Sequence, residues 1–303
     1  MREPLPALSL VAVPGRRRAT LEIAREAERR GFAGLFVPSI FGNMAQCTAL
    51  ALATERIPLA TAIAPIYART VEDFAHGAAY IHELSGGRFR FGIGVAHAPS
   101  HLRMGVTVGK PLADIRNFVA NLRSYDGIGG LPPIVLAALR TRMVALAGEI
   151  ADGLIYANAS RSHTAASLSV LPAAKRADPD FLIANMIPTC IAEDEAAAAA
   201  VCRRVLVRYA MLPNYRNYWK EAGYGDEMAA IESAIDEGRE RDIPALMSDC
   251  WLADATLFGP AGKVRDGIAA WRETGVSTPV LVPSSASGNQ LTAFAEVFAA
   301  FAK

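Results

Sequence analysis

The chain has 303 residues, of which 52% are hydrophobic and 20% charged, with a net charge of +1 at pH 7. That composition supplies a large buried core and excludes disorder, and the near-neutral charge, with Lys and Arg scattered among acids, excludes a nucleic-acid-binding footprint. Four cysteines at 47, 190, 202 and 250 lack CxxC or metal-type spacing, and the opening Met-Arg-Glu-Pro-Leu-Pro lacks a signal-peptide pattern. With no long apolar run to cross a membrane, a soluble, reduced, cytoplasmic protein without a metal is expected.

Apolar strands and amphipathic helices alternate along the chain. Leu8 to Val13 is predicted as a first strand, and Ala19 to Arg30 as a helix stopped at Gly31. Gly34 to Pro38 is a second strand, Ala45 to Ala53 a helix and Ile57 to Ile63 a third strand. Thr70 to Leu84 is a helix with Val71, Phe74, Ala78 and Ile81 on one face, closed by Ser85-Gly86-Gly87. Arg88 to Val95 is a fourth strand whose Gly92 and Gly94 imply either a close approach to the backbone or a bend in the strand, and His97 follows directly. After a less regular stretch come a helix at Leu112 to Arg123, a strand at Pro133 to Ala138, a helix at Arg142 to Ile150 and a strand at Leu154 to Ala157. Phe181 to Ile187 and Pro279 to Pro283 complete eight strands, and Leu291 to Phe301 is a closing helix. Eight such units predict a single domain over residues 1–303, a (β/α)8 TIM barrel, with a helical insertion at about 211 to 256 between strands seven and eight. The insertion carries aromatics such as Tyr215, Tyr218 and Trp219, which suit packing or an interface.

In such a barrel the chemistry sits where the strands end. The residues there are small or apolar, which suits a flat ligand and lacks the clustered carboxylates and histidines of a metal or glycosidase site. No nucleophile elbow, P-loop or dinucleotide fingerprint is present. His97 is the leading group for proton transfer, since an ordinary imidazole titrates near neutrality. His76 and His82 are expected to be structural or solvated. The Ser284 to Gly288 loop after the last strand offers a place where other barrels hold phosphate.

Glu83-Leu84-Ser85-Gly86-Gly87-Arg88-Phe89, the strand Phe91-Gly92-Ile93-Gly94-Val95, and Ala147-Gly148-Glu149-Ile150-Ala151-Asp152-Gly153 together resemble the bacterial luciferase-like monooxygenase superfamily. The resemblance implies a flavin or deazaflavin ring across the strand ends. It places the ring against Thr61, Ala62 and Ile63, at a third-strand bulge that often carries a non-prolyl cis peptide, and against Val95 and Ala96. The cofactor's tail and phosphate would fall at Ala137, Ala138, Leu139, Arg140 and Thr141, where a helix N-terminus favours an anion. Pro38-Ser39-Ile40 departs from the acid or histidine common in the family at the second strand end. The function implied is oxygenation of a small organic substrate by reduced FMN and oxygen, with a separate flavin reductase and a homodimer as expected partners. Hydride transfer with the deazaflavin coenzyme F-420 is the alternative, and a non-catalytic flavin-binding subunit is a second one.

Overall fold

The computed structural model describes residues 4–39 and 42–302. The chain divides into two compact units, Met1–Tyr156 with Val170–Ala184 and Ala157–Ser169 with Asn185–Lys303. The first alternates β1 (Ala7–Ser9), α1 (Arg17–Arg30), β2 (Leu35–Pro38), α2 (Asn43–Ala53), β3 (Leu59–Ala62), β4 (Ala64–Pro65), α3 (Val71–Leu84) and β5 (Phe89–Gly94). It continues through α4 (Ala98–Met104), α5 (Pro111–Arg123), β6 (Ile134–Ala137), α6 (Thr141–Ile150) and β7 (Gly153–Ala157). Each strand pairs in parallel with the next, with Leu35 beside Leu59, Leu59 beside Phe89, Phe91 beside Ile134 and Leu136 beside Leu154. β4 continues the line of β3 and pairs with β5. Both faces of these strands are covered, so Leu35, Phe89, Phe91 and Leu154 are fully buried.

The chain then runs through α7 (Arg161–Leu168), α8 (Ala173–Ala177), β8 (Leu182–Ile191), α9 (Glu195–Ala210), α10 (Pro213–Glu221), α11 (Gly225–Asp236), a 3-10 turn at Glu240–Leu246 and α12 (Asp249–Ala255). β9 (Leu257–Gly259), α13 (Ala261–Glu273), β10 (Thr278–Ser284) and α14 (Gln290–Ala300) follow. In the second unit β8 pairs with both β9 and β10. The parallel strands alternating with helices have the predicted (β/α)8 TIM-barrel fold.

The insertion at 211–256 is helical as expected, and its Tyr215, Tyr218, Trp219 and Trp251 are core, whereas Tyr224 is half-buried. Trp219 lies 4.8 Å from Trp251 and 5.5 Å from Tyr215 between ring centroids, and both tryptophans are fully buried. The Tyr218 hydroxyl accepts the Ser160 N–H at 3.0 Å. The helices α7, α8 and α9 fall where the sequence reading places no element, and β9, α4 and β1 also depart from it. β9 is a strand where the sequence reading places none, because Leu257 to Gly259 is too short to show a period. The less regular stretch after His97 contains α4, whose short run buries no residue and so carries no apolar periodicity. β1 ends at Ser9, short of the predicted Val13.

The family-like Ser-Gly-Gly-Arg run is a folding device. Thr70 caps α3 by accepting the Asp73 N–H at 3.1 Å. At the other end Ser85 Oγ donates to the His82 carbonyl and accepts the Phe89 N–H, while Gly86 and Gly87 take φ values of 62° and 82°. Two successive left-handed residues reverse the chain from helix to strand at little steric cost only when both are glycine. The Arg88 guanidinium then donates to the Ser85, Ala51, Thr54 and Ile57 carbonyls and to Thr54 Oγ1, at 2.7 to 3.0 Å.

Glu28 closes the turn before β3 in a similar way. Its Oε1 accepts the backbone N–H groups of Glu55, Arg56 and Ile57 at 2.9, 2.6 and 2.9 Å. Burial pushes its pKa up, but the three N–H donors and the Arg56 charge outweigh burial and leave it below the ordinary value. The stabilisation is therefore complete above the ordinary carboxylate range and is lost as pH falls through the lowered value. Glu28→Gln should cost about 1 kcal/mol at pH 7, a modest figure because the group is solvent-screened, and less at an acidic pH below the lowered value. Urea unfolding of both proteins at the two pH values checks this.

Candidate active site

Three strand ends of the first unit converge. Thr61 and Ala62 close β3, the Ala62–Ile63 peptide is cis, and Ile63 leads into β4. The cis bond stands inside the segment named from the resemblance. Thr61 Oγ1 donates to the Gly92 carbonyl at 2.7 Å, and Asn43 Nδ2 donates to the Ile63 carbonyl at 3.1 Å. Asn43 is buried at the start of α2 and was not singled out in the sequence, since a lone Asn before a helix reads as a cap.

The two glycines of β5 serve the strands themselves. A Cβ on Gly92 would stand 1.9 Å from the Thr61 carbonyl oxygen, and one on Gly94 would stand 2.8 Å from Ala137 Cβ and 3.0 Å from Ile63 Cδ1. The close approach implied by the sequence is therefore made by neighbouring chain segments at these two positions. Thr61, Ile63 and Ala137, named separately along the sequence, meet across β5.

Beyond β5, Ala96 takes φ 58° and His97 becomes the N-cap residue of α4, where its side chain makes no capping bond. Burial, followed by the nearby His101 charge, lowers the His97 pKa from its ordinary value. His101 is itself anchored, with Nε2 2.5 Å from the Val95 carbonyl and its ring edge-on to Tyr67 at 5.6 Å. The Tyr67 hydroxyl donates to Asp114 at 2.6 Å, and the Gly109 N–H donates to the same carboxylate at 2.9 Å. This chain of contacts fixes the loop after β5. His82 Nδ1 lies 3.2 Å from the Phe89 carbonyl, consistent with a structural role, and His76 is exposed.

At the end of β6, Ala137 and Leu139 are half-buried and Ala138 is buried, its N–H donating to the Ile155 carbonyl at 3.1 Å. Arg140 is the exposed N-cap residue of α6, no side chain caps that helix, and Thr141 opens it, also exposed. Ser39 ends the described part of the second strand end; Ile40 lies outside the described residues. In the second unit the Ser284 to Gly288 loop turns its hydroxyls to a carboxylate: Ser285 and Ser287 donate to Glu296 at 2.8 and 3.2 Å. A carboxylate on those hydroxyls repels phosphate, so the loop does not suit the anion its position suggested.

Residues 8–125 and 124–278 match the luciferase-like monooxygenase family. A Mycobacterium tuberculosis protein provisionally named a coenzyme F-420-dependent oxidoreductase is 27% identical, over 88% of this chain and 90% of its own. Among solved structures, the coenzyme F-420-dependent tetrahydromethanopterin reductase of Methanopyrus kandleri superposes with a TM-score of 0.77 at 18% identity, covering 97% of each chain. The oxygenating constituent of the 3,6-diketocamphane monooxygenase of Pseudomonas putida, solved with FMN, superposes with a TM-score of 0.65 at 16% identity, covering 98% of this chain and 96% of its own. The relatives thus divide between two cofactors of one flavin type. The protein is an oxidoreductase of this class, and its chain belongs to the luciferase-like monooxygenase family.

Proposed function

We propose that the protein transfers hydride between coenzyme F-420 and a small organic substrate. The relative that aligns along 88% of the chain carries that cofactor in its name, and this is the observation that moves the reading from reduced FMN to the deazaflavin. The residues at the strand ends fit such a group. Ala62, Ile63, Ala96 and Ala137 carry uncharged side chains, which suit a flat ring laid across the strand ends. The uncapped N-terminus of α6, with Arg140 and Thr141, suits an anionic tail. When bound, the deazaflavin supplies a two-electron hydride centre that does not activate oxygen as reduced FMN does.

His97 would take the hydroxyl proton of an alcohol substrate as hydride leaves its carbon. Its lowered pKa keeps the ring neutral at pH 7, the form a base requires. Activity in the oxidising direction should hold at neutral pH and fall as pH drops through a value below the ordinary ~6.5. His97→Gln should lower kcat by roughly a hundredfold or more while leaving cofactor affinity unchanged, because the ring makes no capping bond whose loss would unravel α4. Steady-state kinetics against pH, beside cofactor titration, check both points. An unchanged kcat removes His97 from the mechanism.

Titrating the purified protein with coenzyme F-420 and with FMN, followed by absorbance, tests the cofactor. Binding of the deazaflavin at least about tenfold tighter supports the proposal. A preference for FMN, with oxygen consumed when a flavin reductase is added, restores the monooxygenase reading. The homodimer belongs to the same proposal and is read by light scattering.

A further inference from the structure

A cavity of about 410 Å³ opens in the first unit beside the cis segment, a size suited to a small organic molecule. Ser39, Asn43, Pro65, Arg69, Ser100 and Arg103 are among the residues that line it. Asn43 joins the cavity to the strand ends, because the side chain that lines it also holds the Ile63 carbonyl. The lining residues include two arginines, two serines and an asparagine, and no acidic residue among the described ones. Arg69 donates through Nη1 to Asp73 at 2.8 Å, in an i,i+4 pair with both side chains near half exposure. Exposed pairs of this kind are weak and exchange partners readily. Arg103 Nη2 lies 3.4 Å from Ser100 Oγ, so guanidinium and hydroxyl are presented side by side.

The geometry points to a recognition site for an anionic group of the substrate, a carboxylate or a phosphate, with Arg69 and Arg103 as its charged partners and Ser100 as a hydroxyl donor. Planar guanidinium groups recognise both oxyanions through paired N–H donors. The inference rests on the reading of the strand ends as the cofactor site and names the substrate class of that site. The cofactor's own anionic tail falls at Arg140 and Thr141 in that reading, and neither residue lines the cavity.

Saturation-transfer NMR on the whole protein without cofactor, with benzoate as probe and inorganic phosphate as competitor, tests it. Benzoate should bind and phosphate should displace it. Arg69→Gln and Arg103→Gln should each weaken benzoate about fivefold or more, whereas Arg103→Lys, which keeps the charge but not the paired donors, should recover only part of the binding. Circular dichroism identifies a variant that fails to fold, and the exposed Arg103 pair of variants then carries the test. Affinity for coenzyme F-420 and FMN should stay unchanged in both Gln variants. The inference is overturned if neither anion binds the parent protein, or if binding survives both Gln substitutions. Equal loss of anion and cofactor binding also overturns it, by assigning the cavity to the cofactor tail. Because the anion measurement uses no cofactor, a result favouring FMN overturns the deazaflavin proposal and leaves this one standing.

Discussion

Gly92→Ala is expected to destabilise the protein by more than about 3 kcal/mol, among the largest effects of any single methyl group in the chain. The added carbon would lie 1.9 Å from the Thr61 carbonyl oxygen and 3.0 Å from its carbonyl carbon. Both are backbone atoms, so no rotamer change makes room; β3 and β5 must move apart, and the Thr61 Oγ1 bond to the Gly92 carbonyl is disturbed with them. Gly94→Ala provides the contrast. Its new carbon meets the Ala137 and Ile63 side chains at 2.8 and 3.0 Å, and side chains can be trimmed or turned. It should cost about 1 to 3 kcal/mol, and Ala137→Gly should recover part of that. Thermal unfolding checks the order, with the Gly92 variant lower by roughly 5 °C or more. A Gly92→Ala protein as stable as the parent would show that the β3 end is free to shift.

Arg88→Met should cost about 2 to 4 kcal/mol. The guanidinium makes five hydrogen bonds, four of them to carbonyl groups in the chain before β3 and at the end of α3. Methionine keeps much of the aliphatic volume and leaves those acceptors without their donor, and each unsatisfied buried acceptor is costly. Burial lowers the arginine pKa, opposed by the Glu28 charge, and the group remains cationic throughout the working range. Arg88→Lys should recover only a minor share, because one ammonium on a flexible stem cannot reach five acceptors set out for a planar fork. Denaturant unfolding of the three proteins measures the order: parent, then Lys, then Met. Equal loss with Lys and Met would mean that the fork geometry alone counts.

These two residues show how far the sequence can be read. Gly92 and Arg88 both stand in the segment that carries the family resemblance, and the resemblance points to a cofactor. The structure assigns them a different task, holding α3, β3 and β5 in register. Gly92 was legible as a place of close approach, yet its partner was not, because Thr61 is 31 residues away and nothing local distinguishes a strand neighbour from a ligand. His97 was legible by position, as the first polar group after an apolar strand. Its neutral state was not, since that comes from burial and from His101.

Asn43, Arg69 and Arg103 carry the same lesson for the candidate site. Each sits on a separate local element: Asn43 reads alone as a helix cap, Arg69 as a solvated charge, and Arg103 as a loop residue equally open to substrate contact and to solvation. The alternation of strands and helices, the turn glycines and the family resemblance follow from the sequence by itself, because periodicity and left-handed turn positions are properties of a few consecutive residues. Only the tertiary structure decided that Asn43 holds the Ile63 carbonyl beside a cavity edged by two arginines, and that the Ser284 to Gly288 loop faces Glu296. Those facts depend on contacts between distant segments, which parallel strands and their crossovers set and no short stretch of sequence contains.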